Sequence, residues 1–185
     1  MPIREGAIER AKKIKCVILD VDGVLTDGGV YVAPDGSELY KPFFARDGLV
    51  ISLAPRAALM TAIITGRSSA IVEHRAKELH IDLVYQGCRN KCTAYADIKA
   101  KTRLTDEEIA YIGDDIIDLP VMHMVGLPCA VGDAVPEVKD AAQIIANERG
   151  GHGAVREIYE IILKTQGRWD EILTAFQTNV DEVAQ

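Results

Sequence analysis

Two carboxylates sit two residues apart in the run Asp20-Val21-Asp22-Gly23-Val24-Leu25-Thr26-Asp27-Gly28, directly after the apolar stretch Cys16-Val17-Ile18-Leu19. An extended chain alternates its side chains with period two, so Asp20 and Asp22 point the same way if the strand persists through them. Like charges that close repel unless a cation or a proton lies between them. The pair therefore predicts a metal, phosphoryl chemistry, or both. Thr65 in Ile63-Ile64-Thr65-Gly66-Arg67, Lys91 after Asn90, and Asp114 with Asp118 in Gly113-Asp114-Asp115-Ile116-Ile117-Asp118 carry groups suited to the same task. Singly each is weak evidence, because a lysine opening a helix is ordinarily solvated and a threonine ending a strand is ordinarily a cap. Each nevertheless falls at the C-terminal end of an expected strand or at the start of the next helix, where open α/β sheets bind ligands.

The elements that must position these residues alternate along the chain. Cys16–Leu19, Met60–Thr65, Ile81–Tyr85 and Ile109–Ile112 are bounded apolar runs, the mark of strands covered on both faces. Short strands at 128–131 and 143–146 flank a helix over 136–141. Amphipathic or capped segments predict helices at 68–79, with Ile71, Val72, Ala76 and Leu79 on one face, and at 91–101. Asp47 is the expected N-cap of a helix beginning near Asp47-Gly48, ended or kinked by Pro55. Thr105 and Glu108 fit a capping box, and Pro120 suits the first turn of a helix over 119–125. Residues 29–33 and 38–43 read as a hairpin turned by Pro34-Asp35-Gly36-Ser37. After Gly150-Gly151-His152-Gly153 the chain reads as helical to near its end. The pattern predicts one α/β domain around a mostly parallel sheet.

The 185 residues suffice for one domain with a substantial core. The apolar runs are far too short for a membrane span, and Met1-Pro2-Ile3-Arg4-Glu5-Gly6 has no apolar signal core, which predicts a cytoplasmic protein. A net charge of −7 with scattered basic residues argues against nucleic acid as partner. It leaves an anionic substrate open, since local groups and a metal reverse the sign within a site. Cys16 and Cys129 read as small core residues. Cys88 and Cys92 lack a second Cys/His pair to complete a zinc site.

Taken together and in this order, Asp20 with Asp22, Thr65, Lys91, and Asp114 with Asp118 resemble the signature of the haloacid dehalogenase superfamily of phosphotransferases, over about residues 15–145. The resemblance implies a three-layer, Rossmann-like sheet with helices on both faces. It implies that Asp20 attacks phosphorus to form an aspartyl phosphate, and that Asp22 protonates the leaving alcohol and then takes a proton from water. Mg²⁺ would be held by Asp20, the backbone carbonyl of Asp22 and Asp114. Thr65 and Lys91 would clamp the phosphoryl oxygens. Asp118 would orient Lys91 or a metal-bound water from behind. Asp115, in the same outer layer, is the alternative ligand to Asp114, though the Gly-Asp-x-x-x-Asp spacing favours Asp114. Asp27 reads as a turn residue, and Arg67 either as a substrate contact beside Gly66 or as a helix-end charge.

Superfamily members differ in caps inserted between Asp22 and Thr65 or between Lys91 and Asp114. These gaps are about 43 and about 23 residues, too short for a folded cap, and the hairpin at 29–43 takes its place. Lys41-Pro42-Phe43-Phe44-Ala45-Arg46-Asp47-Gly48, Tyr85-Gln86-Gly87, Asn90-Lys91 and Gly150-Gly151-His152-Gly153-Ala154-Val155-Arg156-Glu157 resemble the capless branch that contains the 3-deoxy-D-manno-octulosonate 8-phosphate phosphatases, over about residues 10–165. That likeness implies a small phosphorylated sugar acid as substrate, a step in lipopolysaccharide precursor synthesis, and a homotetrameric ring in which a neighbour completes each site. It makes Arg46 and Lys41 candidates to meet the sugar acid's carboxylate.

Phe44, His152 and the tail over 166–185, with Trp169, Ile172, Leu173 and Phe176 at helical spacing, depart from the branch's pattern. A nine-carbon keto sugar acid 9-phosphate is the alternative substrate. A non-hydrolytic phospho-receiver or a regulatory domain is the alternative of another class, and a receiver has no use for a second carboxylate at Asp22.

Overall fold

The computed structural model describes residues 1–81 and 83–178. The chain runs α1 (Ala7–Ala11), β1 (Cys16–Leu19), β2 (Tyr31–Val32), β3 (Glu38–Tyr40), α2 (Ala45–Leu53), β4 (Met60–Ile64), α3 (Ala70–Glu78), β5 (Leu83–Tyr85), α4 (Lys91–Thr102), β6 (Ile109–Gly113), α5 (Leu119–Met122), β7 (Leu127–Ala130), α6 (Pro136–Ala141), β8 (Ile144–Ile145), α7 (Ala154–Thr165) and α8 (Trp169–Thr178). The main sheet has the order β5-β4-β1-β6-β7-β8, with every pair parallel. β1 and β6, at its centre, are buried at every residue. Unbroken burial requires helices over both faces, which explains why these strands read as continuous apolar runs rather than alternating ones. The strand order reverses at β1, so the crevice of the sheet opens at its C-terminal end, beside Asp20.

The chain leaves β1 through a tight turn in which the Val21 carbonyl accepts the N–H groups of Val24, Leu25 and Thr26 at 2.9–3.2 Å. Gly23 supplies the turn's left-handed backbone at φ +88°. The hairpin β2–β3 forms a separate antiparallel pair, with Tyr31 opposite Tyr40 and their rings stacked at 4.3 Å. Its strands are shorter than the sequence suggests because the register shifts at Tyr31/Val32 and interrupts the ladder. Asp35 closes its turn by accepting the Ser37 N–H at 2.9 Å, the role short polar residues take in turns.

The expected helix after the hairpin forms, but its start and its cap differ. α2 begins at Ala45 with Phe44 as N-cap and no side-chain cap. Asp47 lies within its first turn, buried, and its carboxylate instead accepts the N–H groups of Gly153 at 3.2 Å and Arg156 at 2.7 Å. It therefore caps α7, whose own N-cap is glycine and brings no acceptor. Local pattern identified the residue type but not the helix it serves, because α2 and α7 pack against each other only in the folded chain. Pro55 ends α2 as expected, within a 3₁₀ turn over Ala54–Ala57. The capping box of Thr105 and Glu108 is present on the 3₁₀ turn that leads into β6.

α8 folds back onto the domain: Trp169 and Ile172 are buried, and the Arg156 guanidinium lies 4.9 Å from the Trp169 ring. Residue 82, within the run 81–85 that the sequence suggests as a strand, and the part of the tail beyond 178 lie outside the described residues.

Asp47→Ala removes both acceptors at the start of α7. Urea denaturation should show a loss of about 1–2 kcal/mol, the upper part of the range for a lost cap, with Asp47→Asn losing less because one carbonyl oxygen remains to accept.

Candidate active site

The ends of three adjacent strands bring the chemistry together. Asp20 follows β1, Thr65 follows β4, and Asp114 follows β6; β4 and β6 flank β1. Lys91 is the first residue of α4, whose N-cap Asn90 accepts the Cys92 N–H at 3.1 Å. Asp20, Thr65, Lys91 and Asp118 are all buried, and pairing with one another is what makes the three charged groups among them tolerable there.

The pairing centres on Lys91. Its Nζ lies 2.9 Å from Asp20 Oδ1 and donates to Asp118 Oδ1 at 2.7 Å and to the Tyr111 hydroxyl at 3.2 Å. Burial alone would lower its ammonium pKa, but the two carboxylates outweigh burial and raise it. Asp118 has little capacity left. Besides Lys91, its Oδ1 accepts from Tyr111 at 2.6 Å, and its Oδ2 accepts the N–H groups of Asp114 at 3.0 Å and Asp115 at 3.4 Å. It thus holds Lys91 and fixes the loop that presents Asp114. Burial, followed by the Asp118 charge, pushes the Tyr111 phenol well above its ordinary value, so it stays a donor. Tyr111 is a member of the site that the sequence did not announce. It lies in the middle of β6, where a tyrosine reads as core, and only the α4–β6 juxtaposition reveals the use of its hydroxyl.

One oxygen from each of Asp20, Asp114 and Asp118 lies within 4.8 Å of the others. With Asp118 engaged by donors, Asp20 and Asp114 are the carboxylates available to a cation. The space is shaped for them: a Cβ on Gly23 would stand 2.1 Å from Asp114 Oδ2. Oxygen donors of this kind suit Mg²⁺. Burial first, and then the repulsion of Asp118, pushes Asp20 up to about 6, against the opposing pull of Lys91. Burial and the charges of Asp20 and Asp118 push Asp114 up to about 8. Asp115 is exposed and accepts the Ile116 N–H at 2.7 Å, capping its own turn.

Asp22 is flanked by cations. Lys41 Nζ contacts its Oδ1, and Arg67 Nε lies 3.7 Å from its Oδ2. Lys41 is buried and also lies 3.1 Å from Glu38, whereas Arg67 is half exposed and Gly66 is open, with nothing near its missing Cβ. Burial would raise the Glu38 carboxyl, but hydrogen bonds from Ser69 and Lys41 hold it below its usual range. Arg46 lies elsewhere, 5.9 Å from the Phe44 ring, at a cavity of about 170 Å³ shared with His152, Glu148 and Arg156. Phe44 and His152, the two departures noted in the sequence, meet each other with ring centroids 6.2 Å apart. Asp27 is a turn residue: its carboxylate accepts the Gly29 N–H at 2.9 Å and the Tyr31 hydroxyl at 3.0 Å.

The loop over 150–153 closes the other side of the site. Gly151 N–H donates to the Val24 carbonyl at 2.9 Å, and a Cβ on Gly150 would stand 1.7 Å from the Gly23 carbonyl oxygen. Glycine is needed there for close backbone approach to the turn that carries Asp22.

Asp20 and Asp114 titrate higher in the folded chain than unfolded, so the native state keeps protons that the unfolded chain has released. Raising the pH through the interval from about 4 to about 8 therefore removes stability from metal-free protein. Thermal melts should show Tm falling across that interval without Mg²⁺, and the increase in Tm on adding Mg²⁺ should be largest at its upper end, where the cation no longer competes with protons.

A family profile described as haloacid dehalogenase-like hydrolase matches residues 74–158. The 3-deoxy-D-manno-octulosonate 8-phosphate phosphatase KdsC of Escherichia coli K12 is 45% identical over 170 residues, covering 92% of this chain and 90% of that protein. The crystal structure of the phosphatase of that name from Yersinia pestis superposes with a TM-score of 0.87 at 43% identity, over 90% of this chain and 89% of the other. The Moraxella catarrhalis phosphatase of the same name, crystallised with magnesium, phosphate and KDO, superposes with a TM-score of 0.89 at 38% identity, over 92% and 98%.

Proposed function

Because this chain belongs to the 3-deoxy-D-manno-octulosonate 8-phosphate phosphatase family of haloacid dehalogenase-like hydrolases, we propose that it hydrolyses that sugar acid phosphate to the free sugar acid and phosphate with Mg²⁺ as cofactor. The observation that carries this reading is the convergence of Asp20, Asp114, Asp118 and Lys91 at the switch point of the sheet. It is supported by the relatives and by the magnesium, phosphate and KDO in the Moraxella structure.

Asp20, with its Oδ1 fixed by Lys91, attacks phosphorus and forms an aspartyl phosphate, splitting one difficult hydrolysis into two displacements. Asp22 gives a proton to the departing alcohol and then takes one from the water that cleaves the acyl phosphate. Thr65 and Lys91 hold the phosphoryl oxygens on which the transition state spreads its charge. Asp20, the Asp22 carbonyl and Asp114 would hold Mg²⁺, which supplies the positive charge that lets a carboxylate approach a phosphate dianion. Arg67, half exposed above Asp22, and Gly66, open beside it, are the proposed contacts to the sugar acid.

A homotetrameric ring belongs to the same proposal. Among the described residues the chain between Asp22 and Thr65 holds only the hairpin, α2, short turns and β4, and the hairpin exposes Val30, Val32, Leu39 and Tyr40. Exposed apolar side chains on so short a ribbon would be suited to burial against another copy, and the ring would bring a neighbour's Arg46 toward the open site. A phosphorylated sugar acid does not cross a bilayer unaided, which fits a cytoplasmic step in lipopolysaccharide precursor synthesis.

Turnover should be far higher on 3-deoxy-D-manno-octulosonate 8-phosphate than on a nine-carbon keto acid 9-phosphate, and equal, poor activity on both would count against the assignment. Asp22→Asn should keep Mg²⁺ affinity, since the carbonyl ligand is untouched, while kcat falls by about 10²-fold or more. Sedimentation velocity should give a tetramer; a stable, fully active monomer would exclude the ring.

A further inference from the structure

A lysine buried at a catalytic edge needs its charge answered. Lys41, just beyond β3, has a side chain only 3% exposed, with Nζ against Asp22 Oδ1 and 3.1 Å from Glu38 Oε1. Glu38 accepts in turn from the Ser69 hydroxyl, and Ser69 is doubly fixed. Its Oγ caps α3 by accepting the Val72 N–H at 3.2 Å, and its own N–H donates to Gln86 Oε1 at 2.7 Å. An unbroken run of contacts therefore leads from α3 and the loop after β5, across the base of the hairpin, to one oxygen of Asp22. The sequence alone suggested that Lys41 meets the substrate's carboxylate. The structure commits it to two protein carboxylates, and reaching a ligand would break both of these buried contacts.

Proton transfer needs the acid within hydrogen-bond reach of the leaving oxygen and held there. Asp22 stands on a glycine-rich turn and is the more exposed partner of its pair with Lys41, so its carboxylate needs an anchor from outside that turn. Arg67 is too exposed to supply one; Lys41 is not. We propose that Lys41 is a positioning residue that aims the Asp22 carboxylate for proton transfer, itself held by Glu38 and Ser69, and that it takes no part in recognising the sugar acid. The assignment rests on the phosphatase reading above and adds to it that the hairpin base is part of the proton-transfer apparatus.

Rapid-mixing and steady-state kinetics of wild type, Lys41→Met, Glu38→Gln and the double variant test this, using 3-deoxy-D-manno-octulosonate 8-phosphate and 4-nitrophenyl phosphate. In Lys41→Met, kcat on the sugar phosphate should fall by about 10²-fold with KM changed by no more than about 2-fold. The aryl ester expels a phenolate that needs no proton. Lys41→Met should therefore release one equivalent of nitrophenolate per site in a burst and then turn over slowly, because cleavage of the aspartyl phosphate still needs Asp22. Glu38→Gln should lower kcat less, and the double variant should be no worse than Lys41→Met, as for groups acting in series. A raised KM with kcat retained overturns the proposal in favour of substrate binding, and unchanged kinetics or additive losses overturn it outright. If Lys41→Met fails to fold, the nearly isosteric Glu38→Gln decides, through a fall in kcat without a rise in KM or the absence of one. A wild type inert on both esters overturns the phosphatase reading together with this role, whereas an active wild type with an indifferent Lys41→Met overturns only the role.

Discussion

Crowding of negative charge at the end of β1 governs the rest of this molecule. Asp20, Asp114 and Asp118 approach within 4.8 Å, two of them buried and Asp114 half-buried, where like charges repel with little screening by water. Lys91 makes the cluster tolerable, since its ammonium reaches two of the three carboxylates and the Tyr111 hydroxyl. One cation among three acids leaves a deficit of positive charge, and that deficit is the affinity of the site for a divalent metal. In the proposed reaction the same imbalance would suit Asp20 to its role, because a carboxylate that carries incompletely compensated charge beside a cation and a phosphate is a competent nucleophile.

Holding such a cluster requires rigid support from several directions. The central parallel strands fix Asp20, Thr65 and Asp114 in register, since Leu19, Ile63 and Ile112 are paired across β1, β4 and β6. The N-terminus of α4 delivers Lys91, and Asp118 binds both Lys91 and the backbone of the Asp114 loop, so one carboxylate couples the cation to the metal-binding side. On the far side, Asp47 caps α7, and the glycines before α7 rest on the turn that carries Asp22. The proposed role of Lys41 adds a third support, from the hairpin. In that reading the part of the fold that replaces a cap domain would also steady the acid.

The exposed apolar side chains of the hairpin are not needed for the core, which is continuous without them. A short two-stranded ribbon is marginal on its own, and the Tyr31–Tyr40 stack provides only part of what it needs. Association with other copies would supply the remainder, tying stability of the hairpin to assembly and, through Lys41, to the chemistry. Phe44 and His152, far apart in sequence, come together beside Arg46, with their rings 6.2 Å apart and the Arg46 guanidinium 5.9 Å from the Phe44 ring.

Much of this was legible in the sequence, for reasons that are local. Buried parallel strands must be apolar throughout, so β1, β4 and β6 declared themselves by composition; paired acids at a strand end declare a cation; and Pro34 to Ser37 is turn chemistry whatever surrounds it. Asp20 and Asp22 were therefore nameable from local chemistry, whereas Thr65, Lys91, Asp114 and Asp118 were nameable through the joint resemblance of all these residues to the haloacid dehalogenase signature. What the chain order concealed were partnerships between residues far apart in sequence: Asp47 with the start of α7, Tyr111 with Lys91, and Lys41 with Asp22 and Glu38. Residue type and periodicity say that a group is polar, helical or buried, but not which neighbour answers it. That choice belongs to packing, because a buried charge takes whichever counter-charge the folded chain brings within reach.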